Sequence, residues 1–185
     1  MALEDRAGSA RFEATVLPHL DAAYNLARWL TRDDHAAEDV VQEAYLRALK
    51  FFGSFRGGDG RAWILAIVRN ACFDWLKLRR TEDLHDSFDE DIHSPDVDRS
   101  AAHAAGAAGN PETSAARSAA AEQIGDALES LPAEYREALV LRELEGLAYK
   151  EIASIAKVPV GTVMSRLARA RKQLRKQLHL EREES

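Results

Sequence analysis

The sequence predicts an all-α protein with two small helical domains joined by a flexible acidic linker. Apolar residues recur at spacings of three and four towards both ends of the chain, and no stretch alternates apolar and polar residues as a strand would. Between these ends lies a segment without an apolar stripe to bury. A chain of 185 residues has room for two small domains, because single domains commonly span roughly 100–150 residues.

Three helices are expected in the N-terminal domain, residues 10–80. The apolar stripe of the first helix is formed by Phe12, Val16, Leu17, Leu20, Tyr24 and Ala27. A second helix starts near Ala36, and its apolar stripe is formed by Val40, Val41, Ala44, Tyr45, Ala48 and Leu49. Four glycines between 53 and 60 then indicate a loop, after which a third helix runs from about Ala62 to Arg80.

The middle segment, residues 81–118, is interpreted as the linker. Its first part, 81–98, contains eight acidic residues and neither lysine nor arginine. Its second part is rich in alanine, glycine and serine. Neither part has enough apolar surface to offset the entropy lost on ordering, so we expect the segment to be flexible.

The C-terminal domain, residues 119–180, is predicted to contain a helix-turn-helix. Ser130 is the expected N-cap of a helix that continues to about Leu144. A short helix over 148–156 and a long helix over 160–178 follow, with only three residues between them. Two helices separated by so short a turn, the second of them basic, are typical of DNA-binding domains.

The charge distribution is consistent with nucleic acid as a partner, although the net charge is −6. Residues 1–80 contain 12 basic and 11 acidic side chains, and residues 131–185 contain 11 basic and 8 acidic ones. Residues 81–130 contain 2 basic and 12 acidic side chains. The acidity is therefore confined to the middle, and both ends are mildly basic.

Composition also excludes several classes of protein. Cys72 is the only cysteine, so an internal disulfide and a cysteine-based zinc site are excluded, and its apolar neighbours predict burial. No apolar run approaches the roughly 20 residues of a membrane span, and the N-terminus lacks the apolar core of a signal peptide. We expect a cytoplasmic protein without membrane insertion, metal or cofactor.

The last helix divides into an apolar and a basic face. The apolar face, expected to pack on Ile152 and Ile155, is formed by Val163, Leu167, Ala170 and Leu174. The candidate DNA contacts on the other side are Thr162, Ser165, Arg166, Arg169, Lys172 and Lys176. Those near the N-terminal end of the helix can reach base edges, whereas the later lysines can neutralise phosphates. A basic helix that is merely solvated is the alternative.

Three segments of this domain carry a resemblance to a known family. They are Leu131-Pro132-x-x-Tyr135-Arg136, Glu145-Gly146-Leu147-x-Tyr149-Lys150-Glu151-Ile152-Ala153 and Val158-Pro159-Val160-Gly161-Thr162-Val163-x-Ser165-Arg166-Leu167-x-Arg169-Ala170-Arg171. In this order they resemble region 4 of the extracytoplasmic-function (ECF) group of bacterial sigma-70 family factors. The resemblance implies that the last helix binds the −35 promoter element and that the domain contacts the polymerase β flap. Met164 occupies a position where some members of the family have a basic residue.

The second helix contains the segment Asp39-Val40-Val41-Gln42-Glu43. Taken alone, an acidic helix face is most simply a solvated surface, and neither a histidine partner nor a glycine-rich phosphate loop supports acid–base catalysis. The segment resembles sigma region 2.2, which binds the clamp helices of the polymerase β′ subunit. The polymerase contacts implied by the resemblance are Asp39, Gln42, Glu43 and Leu46.

The loop and the third helix resemble sigma regions 2.3 and 2.4. The matching motifs are Phe55-Arg56-Gly57-Gly58 and Trp63-Ile64-Leu65-x-Ile67-x-Arg69-Asn70. Opening a duplex requires an aromatic surface for an unstacked base and basic residues for the separated backbone. The candidate −10 DNA residues are Phe55, Arg56, Arg69, Asn70, Asp74, Lys77, Arg79 and Arg80. Trp63 and Trp75 are expected to be core residues first and stacking surfaces second.

The resemblance as a whole implies a non-enzymatic sigma factor. It would bind core RNA polymerase, direct initiation at a subset of promoters in a stress or envelope response, and be held by an anti-sigma factor. A stand-alone helix-turn-helix regulator is one alternative, but it leaves the Asp39 segment and the aromatic loop unexplained. An enzyme acting on nucleic acid is another, and it would need clustered carboxylates or histidines, which the sequence lacks.

Overall fold

The computed structural model of the chain describes residues 2–86 and 121–183, and every regular element in these two ranges is helical. The predicted all-α fold is thereby confirmed. We call residues 2–86 the N-terminal body and residues 121–183 the C-terminal body. The acidic and alanine-rich stretch over 87–118 of the predicted linker lies outside the described residues.

Four α-helices form the N-terminal body: α1 Ala2–Val16, α2 Leu20–Thr31, α3 Asp34–Phe51 and α4 Gly60–Asp86. Four more form the C-terminal body: α5 over 121–129, α6 Ala133–Leu139, α7 Tyr149–Ala156 and α8 Val160–Glu183. No helix in the described ranges is long and apolar enough to cross a membrane.

The first predicted helix is in fact two helices, α1 and α2, separated by a 3-10 turn at Leu17–His19. Pro18 causes the break, because proline cannot donate a backbone hydrogen bond inside a continuous α-helix. The predicted apolar stripe is interrupted with it. Val16 is fully buried, whereas Leu17 and Leu20 are 48% and 44% exposed.

The start of α3 is determined by a side-chain cap. The Asp33 carboxylate accepts a hydrogen bond from the Ala36 backbone N–H at 2.7 Å, so α3 begins at Asp34 rather than near Ala36. The core of the N-terminal body then forms where α2, α3 and α4 pack together. Its completely buried side chains include Leu26, Leu30, Ala44, Ile64, Leu65 and Val68.

Gly60 allows α1 to approach the first turn of α4. A Cβ atom added at Gly60 would lie 2.7 Å from the backbone oxygen of Thr15, which no real Cβ can tolerate without a shift of the backbone. α4 itself continues to Asp86, six residues beyond the predicted end at Arg80. The first six residues assigned to the linker from the sequence are therefore helical.

The N-terminus of α6 differs from its prediction. The Ser130 hydroxyl donates to the Ala127 carbonyl at 2.7 Å, so it closes the end of α5 instead of capping the next helix. Pro132 is at the N-cap position, and α6 starts at Ala133. After Leu139 the helix widens into a π-helical turn at Val140–Leu144, in which the Glu145 N–H donates to the Val140 carbonyl at 3.0 Å.

The helix-turn-helix is formed by α7 and α8. Lys157 ends α7 in the left-handed conformation at φ 54°, and the Val158 N–H donates to the Ala153 carbonyl at 3.1 Å. α8 buries Val163, Leu167 and Ala170 completely or nearly so. These are the residues predicted to face α7, whose Ile152 and Ile155 are also buried, so the predicted assignment of faces is confirmed.

The two bodies pack directly on one another. α4 lies against α7, α2 lies against α6, and the buried apolar residues of both bodies form one continuous core. This contact between the bodies was not predicted from the sequence. The apolar residues that form it have the spacing found in any amphipathic helix, so the spacing does not indicate which helix they pack against.

Cys72 provides a test of this core. Burial raises the pKa of its thiol to about 12, so we expect iodoacetamide at pH 8 to modify the folded chain at least about 100-fold more slowly than the urea-unfolded chain. A cysteine introduced by Ser154→Cys, at an exposed position of α7, should react at the unfolded rate. Comparable rates for Cys72 in the two states would contradict its burial.

The raised pKa of the Cys72 thiol also makes the free energy of unfolding depend on pH. The folded-state pKa of the thiol lies above its unfolded-state value, so the folded chain binds more protons at alkaline pH. The free energy of unfolding should therefore fall as the pH rises from about 9 towards about 12, and Cys72→Ala should lessen this dependence.

Candidate functional site

One side of α3 presents a row of unburied side chains. The four residues predicted to contact polymerase, Asp39, Gln42, Glu43 and Leu46, are all exposed there. The opposite side of the helix is buried through Ala37, Val40, Val41, Ala44 and Ala48. The leucine is 63% exposed, so its apolar side chain is available to a partner.

Two further exposed apolar residues on α3 were not predicted from the sequence: Leu49 extends this row, and Phe51 is the last residue of the helix. Leu49 was assigned to the buried stripe, but it is 52% exposed, and Phe51 is 56% exposed. The sequence did contain a signal for the exposure of Leu49. Positions 39, 42, 46 and 49 are three or four residues apart, which places Leu49 on the same side of the helix as Asp39 and Gln42. We call Asp39, Gln42, Glu43, Leu46, Leu49 and Phe51 the α3 face.

Arg47 joins the α3 face to α4. Its guanidinium donates to the Glu43 carboxylate at 2.6 Å and to the Asp74 carboxylate at 3.2 Å. These hydrogen bonds, foremost the one to the Glu43 carboxylate, raise the pKa of Arg47. A candidate polymerase contact and a candidate −10 DNA contact thus share one counter-ion at the surface.

The loop between α3 and α4 is built around an aromatic cluster. The ring centroids of Phe55 and Trp63 are 5.0 Å apart, and that of Phe52 lies 5.7 Å from Phe55 and 6.0 Å from Trp63. The ring of Phe12, from α1, also packs in the cluster, and its centroid is 5.3 Å from that of Phe52. Phe55 is half-buried within this cluster.

The other candidate −10 residues are divided between solvent and protein. Arg56, Asp74, Lys77, Arg79 and Arg80 are exposed. Arg79 lies over the ring of Trp75 at 5.3 Å. Both Trp63 and Trp75 are half-buried against the core, as predicted. Asn70 is also half-buried, and its side-chain oxygen is 3.4 Å from Arg69 Nη1.

Arg69 points towards the C-terminal body instead of solvent. Its Nε donates to Glu137 Oε1 of α6 at 2.7 Å, and its guanidinium lies 4.2 Å from the centre of the Phe73 ring. Only 16% of its side chain is exposed. In this arrangement the Arg69 guanidinium is engaged by Glu137 and Phe73 within the protein.

On α8, the predicted DNA-binding side is largely open to solvent. Ser165, Arg169, Lys172 and Lys176 are exposed, and Thr162 is half-buried. Arg166 is the exception: only 19% of its side chain is exposed, and its Nη1 lies 3.6 Å from Glu137 Oε2. Two apolar side chains, Val160 and Met164, are 37% and 54% exposed beside these polar ones.

Further polar contacts connect the two bodies. Arg61 of α4 donates to the Glu145 carboxylate at 2.6 Å and to its backbone oxygen at 2.9 Å. Asn25 of α2 donates to the same carboxylate at 3.2 Å. Within the described ranges, no group of three histidine, cysteine or acidic side chains is arranged to hold a metal ion.

Arg136 lies at the centre of this interface and is almost wholly buried. Its Nη1 donates to the carbonyls of Glu129 and Leu131 at 2.6 and 3.2 Å, and its Nη2 lies 3.5 Å from the Leu30 carbonyl of α2. Burial lowers the pKa of the guanidinium to about 10, so it remains charged at neutral pH. The positive charge is placed at the C-terminal ends of α5 and α2, where helix dipoles favour it.

Comparison with known proteins assigns the two bodies to one family. The model of Sigma-70 region 2 matches residues 15–82, and that of Sigma-70, region 4 matches residues 121–174. The ECF RNA polymerase sigma factor SigE of Mycolicibacterium smegmatis is 34% identical over 92% of this chain and 63% of its own. The RNA polymerase sigma-H factor of Pseudomonas aeruginosa is 32% identical over 94% of this chain and 89% of its own.

Solved structures agree with this assignment. The sigma factor RpoE of Bartonella quintana, in complex with the anti-sigma factor NepR, superposes with a TM-score of 0.70 at 28% identity, covering 91% of this chain and 97% of that one. CnrH, in complex with the cytosolic domain of CnrY, shares the fold with a TM-score of 0.62 at 24% identity, covering 97% and 96%.

A helical body matching Sigma-70 region 2 followed by a helix-turn-helix body matching Sigma-70 region 4 defines a protein of the sigma-70 type. Given its identity to sigma-E and sigma-H factors, the chain belongs to the ECF group of the sigma-70 family. It spans 63% of the length of the mycobacterial relative.

Arg136 should be indispensable to the contact between the bodies. Arg136→Lys keeps the positive charge but removes the forked guanidinium that donates to several carbonyls. We therefore expect the free energy of unfolding, measured with urea, to fall by about 2–4 kcal/mol. Arg142→Lys is the matched control, since Arg142 is half-buried and donates to one carbonyl, that of Leu147, at 2.8 Å. Equal losses in the two variants would contradict a special role for Arg136.

Proposed function

We propose that this protein is a sigma factor that binds core RNA polymerase and directs it to a subset of promoters. One observation carries the proposal: an exposed acidic and apolar row on the region 2 body is combined with an exposed basic recognition helix on the region 4 body. The proposed domains are region 2 over 10–80, the linker over 81–118 and region 4 over 119–180. Run-off transcription with purified core polymerase on a promoter library tests the function as a whole.

The α3 face is the proposed docking surface for the clamp helices of the β′ subunit. Asp39 and Glu43 steer the encounter with a basic partner and set its register. Leu46, Leu49 and Phe51 supply the apolar area that binding removes from water, at about 25 cal/mol per Å². The β flap is the proposed contact of region 4.

The −10 element is proposed to bind along α4 and the aromatic loop. Lys77, Arg79 and Arg80 are exposed and can neutralise phosphates of a separated strand. Phe55 is half-buried, and its ring is the candidate stacking surface for an unstacked base, an interaction worth roughly 1–3 kcal/mol per base. Asn70 and Asp74 are the candidates for hydrogen bonds to base edges.

The −35 element is proposed to receive α8 in its major groove. Thr162, Ser165 and Arg169 lie in the half of the helix that reaches base edges, and Lys172 and Lys176 follow at positions suited to phosphates. Met164 is exposed between them, and its apolar side chain suits contact with a thymine methyl group.

Catalysis is left to the polymerase in this proposal, and the protein acts in the cytoplasm without a cofactor.

Each body contacts only a short stretch of promoter. Binding of one body raises the effective concentration of the other, so two weak sites on one chain give tight overall binding.

An anti-sigma factor is the proposed regulator. The similar chain from Bartonella quintana was solved with the anti-sigma factor NepR, and this supports a partner of the same class here. The response that releases the protein is proposed to be a stress or envelope response.

The role of the α3 face can be tested by binding. We expect the double variant Asp39→Ala, Leu46→Ala to lower affinity for core polymerase at least about tenfold, or about 1.4 kcal/mol, because it removes a steering charge and an apolar contact. Fluorescence anisotropy with labelled protein measures it. Glu13→Ala, an exposed acid on α1, should leave the affinity unchanged. Unchanged affinity in the double variant would exclude the α3 face as the docking site.

Two variants of α8 separate base contacts from phosphate contacts. Lys172→Gln should weaken holoenzyme binding to all promoters alike and lower the slope of log K against log salt by about 1. Arg169→Ala should instead change the order of preference among −35 sequences, at about 1–3 kcal/mol for the affected base pair. A uniform loss in both variants would argue against base recognition by Arg169.

A further inference from the structure

Both ends of the loop between α3 and α4 lie against α1. At the start of the loop, the ring of Phe52 packs against the edge of Phe12, with a centroid distance of 5.3 Å and an angle of 87°. The guanidinium of Arg11 lies over the same Phe52 ring, 5.7 Å from its centre. At the end of the loop, a Cβ atom added at Gly60 would lie 2.7 Å from the Thr15 backbone oxygen. Position 15 is four residues from position 11 and three from position 12, so one side of α1 makes all these contacts.

α1 is itself held firmly in the N-terminal body. Phe12 is 8% exposed, and Val16 is completely buried. The Tyr45 hydroxyl of α3 donates to the Val16 carbonyl at 3.2 Å. The end of α1 is therefore tied to the helix that precedes the loop.

The tip of the loop, in contrast, has few contacts of its own. Residues 56–59 are exposed. Gly57 and Gly58 have φ angles of 91° and 103°, in the region that favours glycine. A Cβ atom added at either glycine would meet no other atom of the described residues within 4 Å. The position of the tip therefore depends on how its two ends are held.

We infer that α1 is the base that holds this loop, and that Phe12 is a positioning residue for the opening of −10 DNA, acting through Phe52 on Phe55. The inference rests on the proposed function, because it takes Phe55 to be the stacking surface for an unstacked base. Phe12 precedes residues 15–82, which match Sigma-70 region 2. The role is thus assigned to a part of the chain that lies outside that match.

The aromatic rings connect α1 to the candidate DNA surface. The rings of Phe52 and Phe55 are 5.7 Å apart and nearly parallel, at 19°. The edge of Phe12 supports Phe52 from the side of α1. Leucine in place of Phe12 would keep an apolar contact but remove the ring edge that fixes the orientation of Phe52. A base would then have to stack on a less ordered Phe55 ring, and ordering that ring costs entropy.

The order of the loop in the free chain tests the first step without polymerase or DNA. Spin labels are attached through Glu38→Cys on α3 and Arg56→Cys at the loop tip, in a Cys72→Ala background. Double electron–electron resonance then gives the spread of distances between them. We expect Phe12→Leu and Gly60→Ala each to widen this spread at least about twofold, because each variant loosens one end of the loop.

Two control variants separate loop order from general stability. Gly53→Ala adds a methyl group in the same loop, where it meets no other described atom within 4 Å. Leu26→Val shortens a completely buried side chain of α2 outside the aromatic cluster. Both should keep the spread of the parent chain, while circular dichroism verifies that all variants retain their helicity. If Phe12→Leu and Gly60→Ala also keep that spread, α1 does not hold the loop and the inference is refuted.

The rate of DNA opening tests the second step. The fluorescence of 2-aminopurine placed in the −10 element rises when the base unstacks, and it reports opening by the holoenzyme. We expect Phe12→Leu to slow opening of a duplex promoter at least about fivefold, but to weaken binding to a promoter with an already opened −10 element less than about twofold, because base capture there no longer competes with stacking in the duplex. Equal losses on the two templates would indicate a general loss of folded protein and would overturn the inference.

A double-mutant cycle shows whether Phe12 acts through Phe55. Phe55→Ala should slow opening by itself, and the addition of Phe12→Leu should slow it less than about twofold further, because the ring that Phe12 positions has been removed. Leu26→Val should have the same effect with or without Phe55→Ala. Independent effects of Phe12→Leu and Phe55→Ala would contradict the route through Phe55. A parent holoenzyme that opens no promoter would count against the proposed function instead, because the distances in the free chain do not depend on polymerase.

Discussion

Burial of charged residues on α6 is the constraint around which the two bodies are arranged. Arg136 reaches the carbonyl ends of α5 and α2, and Glu137, the next residue, pairs with an arginine of α4. Neither charge can remain inside without these partners, since an unpaired buried charge is strongly destabilising. The C-terminal body therefore packs on the N-terminal one through a polar centre surrounded by apolar side chains.

This arrangement leaves the functional surfaces unequally available. The α3 face and most of the basic side of α8 are open to solvent. Arg69 and Arg166, by contrast, lie beside the shared carboxylate.

Four of the exposed apolar residues have a common explanation under the proposed function. Leu46, Leu49 and Phe51 on α3 and Met164 on α8 lie at the surfaces assigned to polymerase and promoter. Exposed apolar side chains that lie together are typical of surfaces that bind a partner. Arg47, which pairs with both Glu43 and Asp74, places a positive charge at the border of two of these surfaces and limits the repulsion between their acids.

The sequence by itself determined the helical nature of the chain, the positions of most helices and the division of α8 into a buried and a basic face. These follow from local periodicity and turn residues, which act over one or two helical turns. Residue motifs likewise indicated the family and the candidate residues. Tertiary structure alone decided that Leu49 is exposed, that Ser130 closes α5, and that Arg69 and Arg166 meet one carboxylate. Such outcomes depend on residues far apart in the chain, and no local pattern specifies which side chain will fill a buried polar site.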